Sequence, residues 1–187
     1  MESFIETRKG NKVYVQDPQP DQFDIEDIAY ALSNTCRFNG HSAGFLSVAE
    51  HSVLVAQRLP RELQLKGLLH DATEAYLGDI PSPIKQFLPD YKVLETRFEE
   101  AISKKFELDE EGWDEVKQAD IDALYTEAHY LIQSQGQEWS YFQGPIKYSV
   151  RRDLRPACLP PAMAYQLFMG KFYDLQPQEA KRIIIPT

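Results

Sequence analysis

The stretch Leu68-Leu69-His70-Asp71-Ala72-Thr73-Glu74-Ala75 sets three ionisable side chains into a segment that is otherwise apolar and helix-forming. At about 100° per residue, His70, Asp71 and Glu74 fall within one helical arc about 100° wide. Leu63, Gly67 and Leu77 lie on or beside that arc, so the polar groups face inward. Ionisable groups facing a core are costly unless something compensates them. Whatever this chain folds into must therefore bring further polar groups, or a cation, to that face. Imidazole nitrogen and carboxylate oxygen are both good ligands for first-row divalent metals, which makes a cation the first compensator to look for.

Further ligands have to come from other inward faces. His51 lies 19 residues upstream. Ser47-Val48-Ala49-Glu50 reads as a capping box opening an apolar helix that ends near Leu59, and it sets His51 on the arc of Val48 and Val55. Pro60 separates this helix from one over roughly 61–77, and two helices joined by so short a loop pack antiparallel. Downstream, a helix over about 110–132 offers two aspartates. Asp120 shares a stripe with Val116, Ala123, Leu124 and Leu131, whereas Asp122 shares a polar stripe with Gln118, Thr126 and His129. Asp120 is the expected ligand. Glu127, on the same inner stripe, is the expected partner behind the ligands. A lone histidine–aspartate pair on a helix is otherwise an ordinary hydrogen-bonded pair, and it is the added His51 and Asp120 that favour a metal.

The remaining chain reads as all-α with one β element. Phe4–Arg8 and Lys12–Val15 around Gly10-Asn11 predict a β-hairpin, ended by Pro18 and Pro20. Asp24 opens a helix with an acidic first turn and apolar residues at 25, 28, 29 and 32. Cys36–Gly44 reads as a loop, and 78–83 as a rigid turn because of Pro81 and Pro83. A helix over about 89–106 should bury Tyr91, Leu94, Phe98 and Ile102. After Gly144-Pro145 the basic run Lys147–Arg155 reads as a solvated loop, and Pro160-Pro161 open a last helix to about Leu175. The expectation is a single domain over 1–187: hairpin and lead-in over 1–20, helical core over 24–132, C-terminal loop and helix over 145–175.

Composition bounds the function classes. A hydrophobic share of 43% and a charged share of 26% are globular values. Two cysteines, Cys36 and Cys158, form no disulfide framework and predict a reducing, cytoplasmic setting. No run of membrane-spanning length or signal-peptide character is evident, so no membrane partner is expected. A formal charge of −9 argues against binding a nucleic-acid polymer through its backbone.

The order His51, His70-Asp71, Asp120 resembles the HD-domain metal-dependent phosphohydrolases. The likeness extends through Ser33-Asn34-Thr35-Cys36-Arg37-Phe38-Asn39-Gly40-His41, Phe45-Leu46-Ser47-Val48-Ala49-Glu50-His51-Ser52 and His70 to Lys85, over about residues 1–175. It is closest to the compact branch of bacterial deoxynucleoside 5′-monophosphatases, their prophage relatives and phage dATP triphosphohydrolases. The resemblance implies an HD-domain helical bundle in which His51, His70, Asp71 and Asp120 hold one divalent ion (Mn, Co, Ni, Zn or Mg). It implies Glu74 and Asp79 as catalytic carboxylates, and Arg37 and Phe38 beside the phosphate, sugar and nucleoside. Lys85 would neutralise phosphate. Other readings stay open: a surface ion pair for Arg37, core packing for Phe38, a solvated helix position for Lys85, and a metal-orienting role for Glu74. His41 is expected to be substrate-side or structural, and His129 exposed.

The expected activity is hydrolysis of 2′-deoxynucleotides, first as a 5′-nucleotidase on monophosphates and alternatively as a (d)NTP triphosphohydrolase. A non-catalytic metal- or nucleotide-sensing module is the rival class. The expected partner is a small nucleotide, and relatives of this branch imply a homo-oligomer.

Overall fold

The structure, a computed structural model, describes residues 3–137, 139 and 147–176. Gly144-Pro145 lie outside the described residues. Strands β1 (Phe4–Glu6) and β2 (Lys12–Tyr14) pair antiparallel with Ile5 opposite Val13. Eight helices follow among the described residues: α1 (Ile25–Asn34), α2 (Val48–Ala56), α3 (Gln64–Leu69), α4 (Glu74–Leu77), α5 (Ser82–Lys85), α6 (Pro89–Lys105), α7 (Trp113–Leu131) and α8 (Pro161–Leu175). The all-α class with an N-terminal hairpin is thus observed. The hairpin is tied down at its turn. Buried Asp27 of α1 accepts from Thr7 Oγ1 at 2.6 Å, Asn11 Nδ2 at 2.9 Å and Lys9 N at 3.2 Å.

Helix α2 is the axis of the molecule. All nine of its residues are buried, and α1, α3, α7 and α8 pack around it. Gly67 sets the approach of α3 to α2. A Cβ there would lie 2.5 Å from Leu59 Cδ1 and 3.1 Å from the Ala56 Cα, so only glycine lets α3 come this near α2. Lys66, itself buried, bonds to the Asp109 carboxylate and the Glu111 carbonyl and pins the loop before α7 to α3. That loop delays α7. It starts at Trp113 rather than near 110, after Gly112 in a left-handed conformation (φ 77°).

Several expected elements differ in detail. The helix expected over 61–77 is a 3₁₀ turn (Arg61–Leu63), α3 and α4, with tight turns at 70–73. Backbone bonds through this stretch tighten to three residues: Ala72 N to Leu69 O, Glu74 N to Asp71 O, and Tyr76 N to Thr73 O. Pro81 and Pro83 do not hold a plain turn. Pro81 caps α5 and Pro83 stands in its first turn, where a missing N–H costs nothing. Along α6, Phe98 and Ile102 are buried while Tyr91 and Leu94 are only half-buried. The loop over 36–44 contains a 3₁₀ turn, Arg37–Gly40. The basic run is not free in solvent along its backbone. Ser149 N donates to Asp122 Oδ1 (2.9 Å), Arg151 N to Thr126 Oγ1 (3.2 Å), and Tyr148 stacks on Tyr125 at 3.8 Å. The stripe of Asp122 and Thr126, read as solvated, is therefore covered by this returning segment, and Thr126 is fully buried.

Candidate metal centre

Each ligand candidate is placed by its own element. Ser47 caps α2, its Oγ accepting from Glu50 N at 3.1 Å, and this fixes His51 in the first turn with no solvent exposure. The reciprocal half of the expected capping box is absent. The Glu50 carboxylate instead accepts from Ala157, Cys158 and Leu159 N–H at 2.6, 3.1 and 2.8 Å, tying the lead-in of α8 to the start of α2. His70 and Asp71 leave the end of α3, and Asp120 projects from the middle of α7.

These elements bring one ligand atom each of His51, His70 and Asp120 within 4.8 Å of one another. Asp71 joins them, with its Oδ2 3.2 Å from His70 Nε2 and 3.6 Å from His51 Nε2. Asp120 Oδ1 lies 3.0 Å from His51 Nε2 and 3.7 Å from His70 Nε2. The centre is buried on the His51 side and opens on the other, where the Asp120 side chain keeps 36% of its surface exposed.

The tautomers are set from behind. His70 Nδ1 lies 2.9 Å from the Gly67 carbonyl, which can only accept, so Nδ1 carries the proton. His51 Nδ1 lies 2.6 Å from Glu127 Oε1, and Glu127 Oε2 accepts from Arg37 Nε at 3.0 Å. Glu127 is fully buried, and its carboxyl is held below the usual range: burial pushes it up, but Arg37 and His51 outweigh this. It is thus an acceptor for His51. Both Nε2 atoms then face the centre with free lone pairs, and neither has a hydrogen-bond partner although both are buried. Two lone pairs converging with carboxylate oxygens repel one another unless a positive charge lies between them. A proton supplies that charge in the absence of metal. Burial opposes charging His70, but Asp71 and Asp120 overcome this and raise its pKa well above the ordinary value. Asp120 is correspondingly held well below the usual carboxylate range and Asp71 is lowered to about 2, each against the opposing effect of burial. A cation could take the place of such protons, so the His51–His70–Asp120 group could hold a metal ion.

The other expected residues line up around this centre unevenly. Glu74, at the start of α4, is 6% exposed, and its Oε2 has no hydrogen-bond partner. Burial, then Asp71 and Asp79, push its carboxyl well above the usual range. Asp79 follows Gly78 (φ 79°) and is pushed up by burial and by Asp71, against Arg37. Arg37 is buried, with Nη1 3.7 Å from Asp71 Oδ2, so it is no surface ion pair. Phe38 is half-buried, not core, and sits with Asn39 in the left-handed region (φ 56° and 50°). That conformation is strained for phenylalanine, and such strain collects at functional sites. Lys85 is neither free nor solvated: its Nζ bonds Glu95 Oε1 at 2.7 Å and lies 3.8 Å from Glu74 Oε1. His41 is exposed, and His129 is half-buried with its ring edge-on to Tyr130. The Gly67 carbonyl, Glu50 and Glu95 were not foreseen. No residue pattern marks them: Glu50 acts on a segment more than a hundred residues on, Glu95 on the side chain of Lys85 across a turn, and Gly67 through its backbone.

No family model matches the sequence. The chain is 42% identical over 173 residues to the uncharacterized protein YfdR of Escherichia coli (strain K12), covering 92% of this chain and 96% of that one. It is also 38% identical over 109 residues to the uncharacterized protein RCAP_rcc00048 of Rhodobacter capsulatus, covering 53% of this chain and 56% of the relative. At that identity and coverage, the chain belongs to the family of YfdR.

Proposed function

We propose that this protein is a metal-dependent phosphohydrolase of 2′-deoxynucleotides, acting on deoxynucleoside 5′-monophosphates. The observation that carries the reading is the pair of buried imidazoles whose unpartnered Nε2 atoms converge with carboxylate oxygens on one point. His51, His70, Asp71 and Asp120 would hold one divalent ion, with Mn, Co, Ni, Zn and Mg all compatible with nitrogen and oxygen donors. When bound, such an ion withdraws charge from a phosphoryl oxygen and makes an attacking water more acidic.

The chain's own residues account for the remaining chemistry. Arg37 has its Nε on Glu127 and its Nη1 toward Asp71, and its guanidinium would orient a phosphate oxygen at the edge of the centre. Phe38 stands beside it for the nucleoside. Glu74 lies close enough to Asp71 and Asp79 to feel both charges, and its raised pKa suits a group that takes a proton and returns it. Water adds to phosphorus and its proton passes to Glu74. The P–O5′ bond breaks, and the 5′ oxygen leaves as a hydroxyl once a proton is delivered to it. The products are a deoxynucleoside and phosphate. Asp79 supports the same proton traffic, and Lys85 balances the charge of Glu74.

A monophosphate is favoured because Arg37 and Lys85 are already paired, with Glu127 and Glu95. Little positive charge is left over for a longer phosphate chain. The same attack on a triphosphate would release triphosphate instead. The test is a panel of dNMPs and dNTPs with Mn²⁺, Co²⁺ or Mg²⁺, scoring phosphate against triphosphate. Phosphate from dNMPs is expected. Metal and nucleotide binding with no product would replace the enzyme by a sensor, and a protein that binds no divalent ion would overturn both. A cytoplasmic homo-oligomer is part of the same reading. Among the described residues, no helix is long and apolar enough to cross a membrane.

A further inference from the structure

Two strained turns meet beside the centre, and each delivers an aromatic ring. The first is Phe38-Asn39-Gly40, with φ of 56°, 50° and 76°. The second is Gln135-Gly136, with φ of 53° and 73°. Of the five non-glycine residues in the left-handed region among the described residues, Phe38, Asn39 and Gln135 belong to these two turns. A residue with a Cβ is costly there, and such strain persists where the surrounding structure enforces it, most often at ligand sites.

The turns are tied together, because Ala43 N donates to Leu131 O at 2.9 Å and joins the 36–44 loop to the end of α7. The second turn folds Trp139 back onto α7. Its N–H donates to Gly136 O at 3.1 Å, and its carbonyl accepts from the Tyr125 hydroxyl at 3.4 Å. A Cβ at Gly136 would lie 3.2 Å from Trp139 Cε3 and 3.3 Å from the Tyr125 ring, so a larger residue there would push the indole away. The indole comes to lie 6.1 Å from the Phe38 ring, centroid to centroid, tilted by 37°. Phe38 in turn lies 5.5 Å from the guanidinium carbon of Arg37, whose Nη1 is 3.7 Å from Asp71 Oδ2. A path of neighbours thus runs from the candidate ligand Asp71 through Arg37 and Phe38 to Trp139. Both rings are half-buried, which leaves part of each open to a ligand.

That order matches the parts of a nucleotide. Phosphate needs the cation and the guanidinium, whereas the base at the other end is a flat π-system that stacks on aromatic rings. Resting on the phosphohydrolase reading above, we propose that Trp139 is the second wall of the base site, stacking with Phe38 on the substrate's base and favouring purines over pyrimidines. The preference arises from area, since a two-ring base covers more of the tilted pair than a one-ring base does.

Trp139→Ala should raise KM for dAMP by about tenfold, the worth of one stacked base, and leave the Ki of inorganic phosphate unchanged. The native kcat/KM ratio of dAMP to dTMP, expected at about three- to tenfold, should fall to near one in the same variant. Trp139→Phe, which keeps a ring, should recover most of the loss. An unmoved KM in Trp139→Ala would overturn the assignment. So would a phosphate Ki that rises with KM, because the indole would then only prop up the site. Binding of deoxyadenosine, which carries no phosphate, is read apart from catalysis. It should quench the tryptophan emission of the native protein, and the quench should vanish in Trp139→Phe, where Trp113 at the start of α7 is the tryptophan left. Quenching with no turnover of any nucleotide would defeat the phosphohydrolase reading alone. Turnover of dNMPs with no quenching would defeat the Trp139 assignment alone.

Discussion

Glu127 lies between the two side chains on which the centre depends, taking His51 through one oxygen and Arg37 through the other. Replacing it by glutamine keeps the shape but removes the charge that holds the His51 tautomer. Glu127→Gln should weaken Mn²⁺ or Co²⁺ affinity by about 10- to 100-fold, as loss of a partner behind a ligand does. Isothermal titration would read this directly, and unchanged affinity would remove Glu127 from the centre. Glu74 makes a prediction of opposite sign. Its folded pKa lies above its unfolded one, so between the ordinary carboxyl value and the raised one the folded state binds the extra proton. The stability that this proton contributes is present at low pH and lost as pH rises through the folded value. In chelator-treated protein, Glu74→Gln should therefore raise Tm at pH 8 and change it little at pH 4, while abolishing turnover. Thermal melts at the two pH values check it. Such a trade, stability for activity, is what the proposed role of Glu74 leads one to expect.

At the scale of elements, α2 and α3 must lie closer than ordinary helices do. A methyl group at Gly67 would meet Leu59 Cδ1 at 2.5 Å and the Ala56 backbone behind it, and the backbone cannot give. Gly67→Ala should cost about 1–3 kcal/mol by overpacking, and it should also lower metal affinity, because the Gly67 carbonyl orients His70. Urea denaturation and metal titration together separate the two effects. The helical periods, the hairpin and the last helix could all be read along the chain, since each rests on local spacing and caps. The break at 70–73 could not: its residues suit a helix, and the interruption appears only where His70 turns to its own α3 carbonyl. Glu50 failed for a related reason. A serine followed three residues later by glutamate has the form of a capping box. Three N–H groups at 157–159, more than a hundred residues on, outcompete the single local donor.

For the molecule as a whole, the candidate ligands come from α2, the end of α3 and α7, so a bound ion ties together helices that share the same core. Metal at about 100 times its Kd should stabilise the fold by about 2.7 kcal/mol, and chelation should remove that increment. Scanning calorimetry with Mn²⁺ and with EDTA measures it; coincident melts would mean no ion is held. The sequence by itself determined the helical class, the hairpin and the inward phase of His51, His70, Asp71 and Asp120. Those follow from period and capping, which act within a few residues. The tertiary structure alone decided that the two imidazoles present free Nε2 atoms to one point. It also decided that Arg37 is bound to Glu127, that Lys85 answers to Glu95, and that the Asp122 face is covered. Each of these is a meeting of charges and hydrogen-bond partners from distant segments, settled by burial and packing that no local pattern contains.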